Sequence, residues 1–325
     1  MRRMSKPFRI AFATNDGGYR FLRVAVHSVV RNVDLGKPYE ITVIEGEGGV
    51  SPEHKRDLQK VVDGRVKLSF LDVDPLFARV ADRLTVTRNK TLMIWARCFM
   101  GDLMPGHDAN TLYLDTDTYV AGDLEEVFKI DLGDALAGMV PESGREGTML
   151  ERSCMPRELG FYCNAGVMLF NPAVWRRENV DAKLLDWGLK WDTAAFHDQD
   201  AVNAVFAGRI RVLPTKWNYH DGWVERSCSL STKRGLWRGN DPGDVLDAIV
   251  EPRILHYWGG RKPWKFNHRP ERLRYERAMR ELGMVDGALE GSSLAGRLAL
   301  PFWDAAHAVM KAYAAHRLRR LRAAD

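Results

Sequence analysis

The sequence predicts an α/β fold in which helices cover both faces of a mainly parallel sheet. Short apolar runs alternate with longer segments of helical periodicity through the first two-thirds of the 325 residues, in the order strand, helix, strand, helix. With 45% hydrophobic and 28% charged residues, the chain also has the composition of a folded globular protein. Ligands of such folds bind at the carboxyl ends of the strands.

Six short apolar runs are the candidate strands. They cover Arg9 to Ala13, Ile41 to Ile44, Val66 to Leu71, Thr111 to Leu114, Leu136 to Val140 and Gly166 to Phe170.

Five helices are expected between and after these strands. They cover Tyr19 to Arg31, Pro52 to Val62, Lys90 to Met100, Ala173 to Leu189 and Gln199 to Phe206. Ser51 is a good N-cap for the second helix, with Pro52 in its first position. The region from Trp217 to Asp247 is expected to form long loops, and two terminal helices follow at Arg269 to Leu282 and Leu294 to Leu321.

This pattern predicts one α/β domain over residues 7–268 and a helical C-terminal extension over residues 269–325. The formal net charge is +5, and residues 311–325 contribute five cations and one anion. The rest of the chain is therefore almost neutral, which argues against a nucleic-acid partner.

The four cysteines show no C-x-x-C spacing and predict neither a disulfide framework nor a thiolate zinc site. The apolar run from Ile10 to Ala13 is too short for a signal-peptide core, and no window approaches 18 uninterrupted apolar residues. We expect a cytoplasmic protein that is at most peripheral on the inner face of the membrane.

Two carboxylates follow the strand predicted at Thr111 to Leu114. Asp115 and Asp117 are two positions apart, so both side chains can point to the same side of an extended chain. Two carboxylates this close repel each other unless a cation lies between them, and a hard divalent ion such as Mn²⁺ or Mg²⁺ prefers such ligands. An isolated pair is more often a turn residue followed by a solvated or capping Asp.

A second candidate site lies in the segment from Ile254 to Trp264. Its apolar start leads to His256, an imidazole that can ligate Mn²⁺. A glycine pair beginning at Gly259 allows close approach of a ligand to the backbone, and Lys262 supplies a positive charge for phosphate. The alternative is a glycine turn with a half-buried histidine and an exposed lysine.

Together with four further blocks, these residues resemble family 8 retaining glycosyltransferases, the group of glycogenin and the bacterial lipooligosaccharide galactosyltransferases. In chain order the blocks are Phe12 to Asp16, Trp95 to Arg97, Leu112 to Asp117, Asn164 to Val167, Asp198 to Asp200 and His256 to Trp264. The resemblance implies a GT-A type, Rossmann-like domain that binds a nucleotide sugar. It also implies metal-dependent transfer of a hexose from UDP-glucose or UDP-galactose to a hydroxyl of a glycolipid or polysaccharide, with retention of configuration.

The resemblance further implies which residues hold the ion and the diphosphate. The metal ligands would be Asp115, Asp117 and His256, with Thr116 between the two acids. Gly259 and Lys262 would lie at the phosphates.

The end of the first strand would hold the nucleoside through Ala13, Thr14, Asn15 and Asp16. Bacterial relatives usually carry Asp where this sequence has Asn15. Asn keeps an acceptor and adds a donor, which permits nucleoside binding and leaves the choice of base open. The alternative is a helix-capping turn ahead of Tyr19.

Three residues of the remaining blocks are expected near the donor. Arg97 lies in an otherwise apolar helical segment, where a guanidinium needs a partner such as a diphosphate or sugar hydroxyls. The resemblance places Asn164 on the donor-sugar hydroxyls, and the small Ala165 leaves room for the sugar. The alternatives are a surface arginine and a strand-opening turn.

The block from Asp198 to Asp200 opens the helix predicted at Gln199. Acidic residues are favourable at a helix N-terminus whatever the function. The resemblance implies that Asp198 binds sugar hydroxyls and that Gln199 lies near the anomeric carbon. Because an amide is a poor nucleophile, a same-face substitution is more plausible than a covalent intermediate. Asp198 is the candidate nucleophile if a covalent step occurs.

The C-terminal extension predicts an amphipathic helix. At 100° per residue, one arc collects the apolar side chains Phe302, Trp303, Ala306, Val309, Met310 and Tyr313. Lys311, Arg319 and Arg322 lie on the opposite arc. Such a helix either lies on an anionic membrane surface or packs on its own domain.

Three other functions stay open on the sequence alone. An inactive sugar-nucleotide-binding homologue is disfavoured by the intact acidic pair, His256 and Lys262. A nucleotidyltransferase of similar fold is disfavoured because no Gly-rich loop with Lys or Arg follows the first strand. A membrane-binding module would explain only the C-terminal extension.

Overall fold

The structure is a computed structural model that describes residues 7–80, 91–104, 106, 108–142, 154–156, 160–191, 196–220, 240–259, 262–265, 271–284 and 294–323. Within these ranges, seven strands form one sheet and two short strands form another. The strands are β1 (Phe8–Thr14), β2 (Tyr39–Glu45), β3 (Lys67–Asp72), β4 (Thr111–Leu114), β5 (Thr118–Val120), β6 (Ala137–Met139), β7 (Val167–Phe170), β8 (Ile210–Val212) and β9 (Ile254–His256).

The large sheet has the order β3-β2-β1-β4-β7-β6-β8, and the small one pairs β5 with β9. β1 runs parallel to β2 and β4, β2 to β3, and β6 to β8. β7 alone in the large sheet runs antiparallel to its neighbours β4 and β6. The mainly parallel sheet expected from the sequence is confirmed, and each of the six candidate strands is found within two residues of its expected ends.

Helices cover both faces of this sheet. The α-helices are α1 (Tyr19–Asn32), α2 (Pro52–Val62), α3 (Asp74–Phe77), α4 (Met100–Leu103), α5 (Glu125–Phe128), α6 (Pro172–Arg177), α7 (Val180–Lys190), α8 (His197–Val205), α9 (Pro242–Val250), α10 (Arg272–Glu281) and α11 (Leu294–Arg322). In the part of the chain that the structure describes, three short 3₁₀ helices cover Asp16–Gly18, Leu92–Phe99 and Thr215–Trp217.

Two apolar cores result, one on each face of the sheet. The first packs α1 and α2 on the sheet through side chains such as Leu22 and Leu58. The second packs the 3₁₀ helix Leu92–Phe99 and helices α6 to α8 on the other face, around Trp95 and Trp175. Both tryptophans are buried, at 1% and 0% exposure. The loops at the carboxyl ends of the strands therefore stand on a rigid support.

Two expected helices differ from the structure. The segment predicted from Lys90 to Met100 is a 3₁₀ helix over Leu92–Phe99 that passes into α4, while Lys90 lies outside the described residues. Here burial of nearly the whole segment outweighs its helix propensity. The helix predicted from Ala173 to Leu189 is broken into α6 and α7, because Asn179 adopts a left-handed conformation with φ of 52° that Asn tolerates.

The prediction of loops from Trp217 to Asp247 was wrong at its end, where α9 begins. The Asp241 side chain accepts hydrogen bonds from the backbone N–H groups of Gly243 and Asp244, and Pro242 occupies the first turn. These are ordinary helix-start signals. Residues 221–239 of the same region lie outside the described residues.

The terminal helix α11 packs on the body through ion pairs and through Met310, Ala314 and Leu318, whereas most of its apolar arc stays exposed. Asp304 makes a two-pronged ion pair with Arg272, at 2.7 and 2.9 Å. Lys311 lies 2.5 Å from Glu271. Ala314 and Leu318 are buried in a third apolar cluster. The side of the helix that carries Lys311, opposite the apolar arc, is thus the side that contacts the protein. On the apolar arc, Phe302, Trp303 and Val309 are 70%, 50% and 68% exposed.

Within the described residues, no helix combines the length and the hydropathy that a bilayer crossing requires.

Candidate active site

Two short strands bring the candidate metal ligands together. β4 ends one residue before Asp115, the chain turns, and β5 then pairs antiparallel with β9 so that Thr118 lies opposite His256. The backbone N–H of Tyr257 donates to the carbonyl oxygen of Asp117 at 2.9 Å. This pairing carries a histidine 139 residues further along the chain to the acidic pair.

The three side chains converge on one point. His256 Nε2 lies 3.1 Å from Asp117 Oδ1 and 3.9 Å from Asp115 Oδ2. One ligand atom from each residue lies within 4.8 Å of the other two. The histidine is buried and the carboxylates are partly exposed, so an ion can approach from the cavity. Two carboxylates and one imidazole form a donor set that suits Mn²⁺.

Gly166 permits this approach. A Cβ atom at position 166 would lie 2.1 Å from Cε1 of His256 and 2.8 Å from Oδ2 of Asp115. Both distances are far below van der Waals contact, and β7 holds the backbone in place just beyond this position. Only glycine lets the imidazole lie against the acidic pair.

Lys262 also contacts the acidic pair through an ion pair with Asp117 Oδ2. Burial opposes ionisation of Asp117, but the charges and hydrogen bonds of His256 and Lys262 outweigh burial and hold its pKa well below its usual value. The lysine therefore stands at the cluster with its positive charge beside the candidate ion. Gly259, at the cavity wall, has a left-handed φ of 78°.

Arg97 lies at the centre of the site. Its Nη2 donates to Asp115 Oδ1 at 2.7 Å, its Nε lies 2.9 Å from Asp198 Oδ2, and its Nη1 donates to the carbonyl of Ala165. The guanidinium is only 7% exposed. Burial disfavours its charge, yet the two carboxylates prevail and raise the pKa of Arg97. All three nitrogens thus have protein partners, whereas the sequence suggested a ligand as the partner.

Two adjoining cavities of about 420 and 320 Å³ open at this point, and they share walls formed by Ile94, Arg97, Asp115 and Asp117. The larger cavity is lined further by Asn164, Asp198, Gln199, His256 and Gly259. The smaller cavity is lined further by Ala13, Thr116 and Lys262. The candidate ion site therefore lies between a sugar-sized space and a second space that extends toward the end of β1.

Amide and carboxylate groups line the far wall of the larger cavity. Gln199 Oε1 accepts hydrogen bonds from Asn164 Nδ2 at 3.2 Å and from the backbone N–H of Ala165 at 3.1 Å. Gln199 Nε2 donates to Glu142 Oε1 at 3.1 Å and to the hydroxyl of Tyr162 at 3.3 Å. The amide of Gln199 is thus held at both ends, and Asp198 precedes it in the first turn of α8.

The residues at the end of β1 are bound to neighbouring loops. Asn15 Nδ2 donates to Glu47 at 2.9 Å, and its Oδ1 accepts from the backbone N–H of Gly18 at 3.2 Å. Asp16 Oδ1 accepts from the backbone N–H of Ser51 at 2.8 Å and lies 2.6 Å from His54 Nδ1. The Asn15 bond matches the capping alternative, and Ala13 is the residue of this block that lines the smaller cavity. Thr14 is 4% exposed.

Sequence reasoning missed several residues of the site. Glu142 follows β6, so the rule that ligands bind at strand ends could have found it. Tyr113 donates its hydroxyl to Asp115 Oδ1 at 2.9 Å, but inside an apolar strand it gave no signal. Asn218 lies 3.0 Å from His256 Nδ1, in a segment taken for a loop. Phe196 and Trp258 also line the larger cavity; Phe196 lies in none of the motifs, and Trp258 lies in the block from His256 to Trp264 but was given no role.

The fold and the site define an α/β domain with an Asp-Asp-His cluster between two cavities at the carboxyl ends of its strands. The sequence profile of glycosyl transferase family 8 matches residues 9–268. The chain belongs to this family, and it is a glycosyltransferase.

Similar proteins include general stress protein A of Bacillus subtilis, with 25% identity over 270 residues, 82% of this chain and 90% of that protein. Lipopolysaccharide 1,2-glucosyltransferase of Escherichia coli is 26% identical over 205 residues, 61% of this chain and 56% of that protein. The galactosyltransferase LgtC, solved with donor and acceptor sugar analogues, superposes with a TM-score of 0.66 at 23% identity, over 86% of this chain and 97% of that chain. The last similarity shows the shared GT-A fold.

Proposed function

We propose that this glycosyltransferase moves a hexose from UDP-glucose or UDP-galactose to a hydroxyl of a glycolipid or polysaccharide, with retention of configuration and with Mn²⁺ or Mg²⁺ as cofactor. The observation that carries the proposal is the convergence of Asp115, Asp117, His256 and Lys262 where two cavities meet. The lipopolysaccharide glucosyltransferase similarity supports the class of acceptor.

The donor atoms fit a divalent ion. Two partly exposed carboxylates and the Nε2 of a buried imidazole face one point, and Lys262 and Arg97 are cations that pair with these two acids. Asp115, Asp117 and His256 would hold the ion. Bound there, the ion supplies positive charge to the diphosphate leaving group.

Lys262 and Arg97 have different tasks in this proposal. The ammonium of Lys262 moves from Asp117 to the diphosphate and stabilises the negative charge that grows as the glycosidic bond breaks. Arg97 keeps its protein partners and fixes the carboxylates of Asp115 and Asp198 in place, which makes it a positioning residue.

The remaining assignments follow the two cavities. Asn164, Ala165, Asp198 and Gln199 form the donor-sugar site in the larger cavity. Gly259 and Thr116 would flank the diphosphate. Ala13 lines the smaller cavity, and the residues that follow it, Thr14, Asn15 and Asp16, would bind the nucleoside. The described contacts of Asn15 and Asp16 leave each of them further acceptor capacity for a base or a ribose.

The weak nucleophiles of the sugar site favour a same-face substitution over a covalent intermediate as the route to retention. The Gln199 oxygen already accepts two hydrogen bonds, and the Asp198 carboxylate is paired with Arg97. In a same-face substitution, the bond from the anomeric carbon to the diphosphate oxygen breaks while a bond to the acceptor oxygen forms on the same side. The acceptor proton then passes to the departing diphosphate, so no strong protein nucleophile is needed.

We also propose that the extension beyond residue 268 contacts an anionic membrane surface from the cytoplasmic side. Phe302, Trp303 and Val309 of α11 are at least half exposed, and Arg317, Arg319 and Arg320 follow on the exposed end of the same helix. Exposed aromatic and cationic side chains gain energy at such an interface.

A panel of nucleotide sugars tests the proposal. Purified protein is incubated with UDP, GDP and ADP sugars, with and without Mn²⁺, and slow hydrolysis is measured. UDP-glucose or UDP-galactose should be consumed only with the ion. Binding of a nucleotide sugar without any turnover would favour an inactive homologue, and consumption of a sugar phosphate plus nucleoside triphosphate would favour a nucleotidyltransferase.

A further inference from the structure

A buried asparagine joins the candidate metal site to the candidate sugar site. Asn218 directly follows the 3₁₀ helix Thr215–Trp217 and is 3% exposed. Its Oδ1 lies 3.0 Å from His256 Nδ1, and its Nδ2 donates to Asn164 Oδ1 at 3.1 Å. One amide thus contacts a proposed metal ligand and a proposed sugar ligand.

The orientation of this amide follows from its neighbours. The backbone N–H of Gly166 donates to Asn164 Oδ1 at 2.9 Å, and a backbone N–H can only donate. Nδ2 of Asn164 donates to Glu142 Oε1 at 3.2 Å, which agrees with this orientation. Oδ1 of Asn164 therefore faces Asn218, and Asn218 must donate to it through its NH₂ group.

The oxygen of Asn218 consequently faces His256. Because this oxygen can only accept, Nδ1 of the imidazole must carry a proton, and Nε2, which faces Asp115 and Asp117, is the nitrogen that can give up its proton to an ion. An imidazole can bind a metal only through a nitrogen that carries no proton. The backbone N–H of Gly166, just before β7, thereby determines through two asparagines which histidine nitrogen is available.

We propose that Asn218 is a positioning residue that holds His256 in its Nδ1–H tautomer and Asn164 in its sugar-binding orientation at the same time. The inference rests on the proposed function, because it assumes that His256 ligates the ion and that Asn164 binds the donor sugar. The inference adds to the proposed function that one side chain couples the metal site to the sugar site.

Two variants separate the two contacts. Asn218→Ala removes both, and Mn²⁺ affinity of the nucleotide-free protein should weaken about 10- to 100-fold, the usual effect of losing a group that orients a metal-binding histidine. Asn218→Asp keeps an acceptor for His256 Nδ1 but loses the donor to Asn164. It should bind Mn²⁺ at least as tightly as wild type while the KM for the donor sugar rises about tenfold or more.

Mn²⁺ binding is measured from the electron paramagnetic resonance signal of the free ion, and KM from donor hydrolysis. Asn32→Ala is the control, because Asn32 donates to two backbone carbonyls, of Ser28 and Val120, away from the cavities. Wild-type Mn²⁺ affinity in Asn218→Ala would overturn the inference, as would equal loss of both properties in the two variants. Wild-type protein that binds no Mn²⁺ would instead overturn the proposed function on which the inference rests.

Discussion

Nη2 of Arg97 lies 2.7 Å from Oδ1 of Asp115 in the wall between the two cavities. The same guanidinium pairs with Asp198 through Nε at 2.9 Å. A single buried cation therefore sets the distance between the candidate metal site and the candidate sugar site. The five N–H donors of a guanidinium make this bridge possible, whereas an ammonium is a point charge.

Arg97→Lys should reduce kcat/KM at least a hundredfold, which corresponds to about 2.7 kcal/mol of transition-state stabilisation. The variant should also unfold more easily, because one ammonium cannot pair in the same way with both Asp115 and the 5% exposed Asp198. Activity and thermal unfolding are measured beside Arg209→Lys, which alters a partly exposed ion pair with Glu178. Near-normal turnover in Arg97→Lys would refute the bridging role.

Asp117→Asn should remove metal-dependent turnover and leave the fold intact, since the side chain faces the cavity and supports no apolar core. His256→Ala should lose at least a hundredfold in rate, about 2.7 kcal/mol. The control is Asp63→Asn, because the Asp63 side chain is 78% exposed. A folded Asp117→Asn protein with the wild-type response to Mn²⁺ would remove Asp117 from the metal site.

Gln199→Glu should be strongly pH-dependent. The new carboxylate would lie where Gln199 Nε2 now donates to Glu142 Oε1 at 3.1 Å, and the repulsion would raise the pKa of one of the two acids. The variant should therefore recover activity relative to wild type as the pH falls and one acid is protonated. Adding Glu142→Gln removes the repulsion and should flatten the profile. A ratio to wild type that is constant from pH 6 to 8 would contradict this arrangement.

The residues of this candidate site lie in short blocks of the sequence. Asp115 and Asp117 follow an apolar strand, and His256 and Lys262 flank a glycine pair, so residue type and spacing made them candidates and the resemblance to family 8 combined them into one site. The contact between these two segments could not be predicted in the same way. It depends on β5 and β9, each three residues long, and three residues are too few for a periodic pattern.

The partners of buried polar groups could not be predicted from the sequence either. Arg97 was singled out because a guanidinium in an apolar segment needs a partner, but the sequence could not show that the partners are Asp115, Asp198 and a backbone carbonyl. Asn218 gave no signal at all. Its role depends on the direction of two amides, which only the three-dimensional arrangement defines.

Two sets of residues on the terminal helix should have different roles, one in membrane binding and one in stability. Phe302→Ser and Trp303→Ser lie on its exposed side and should reduce binding to anionic vesicles, with unchanged hydrolysis of soluble donor. Asp304→Ala should instead lower stability, because Arg272 is 2% exposed and loses its two-pronged partner. Vesicle sedimentation at low and high salt measures the first effect, and salt should weaken it.

Deleting residues 301–325 is a poorer test, since it also removes the partners of Glu271 and Arg272. Vesicle binding that is unchanged in both serine variants and insensitive to salt would contradict the membrane proposal.

Asp181 should make stability depend on pH. Burial raises its pKa to about 7, although it accepts hydrogen bonds from the backbone N–H groups of Gly101 and Asp102. The folded protein then binds one proton more than the unfolded chain between pH 4 and 7. This group's contribution to stability is therefore present at low pH and falls by at most about 1.4 kcal/mol for each unit of rising pH in that window.

Urea unfolding of wild type and Asp181→Asn at pH 4.5 and 7.5 measures this effect. Wild type should lose stability relative to the variant at the higher pH. A difference between the two proteins that does not change with pH would show that Asp181 is ionised throughout.

The most direct measurement for the proposed reaction is a proton NMR time course of donor hydrolysis with Mg²⁺ as the diamagnetic ion, in wild type and Asp117→Asn. We predict that wild-type protein releases the α-anomer of the hexose first from an α-linked UDP-sugar, that this signal requires the ion, and that Asp117→Asn is silent. Initial release of the β-anomer, or equal turnover in the variant, would contradict retaining transfer at the Asp-Asp-His site.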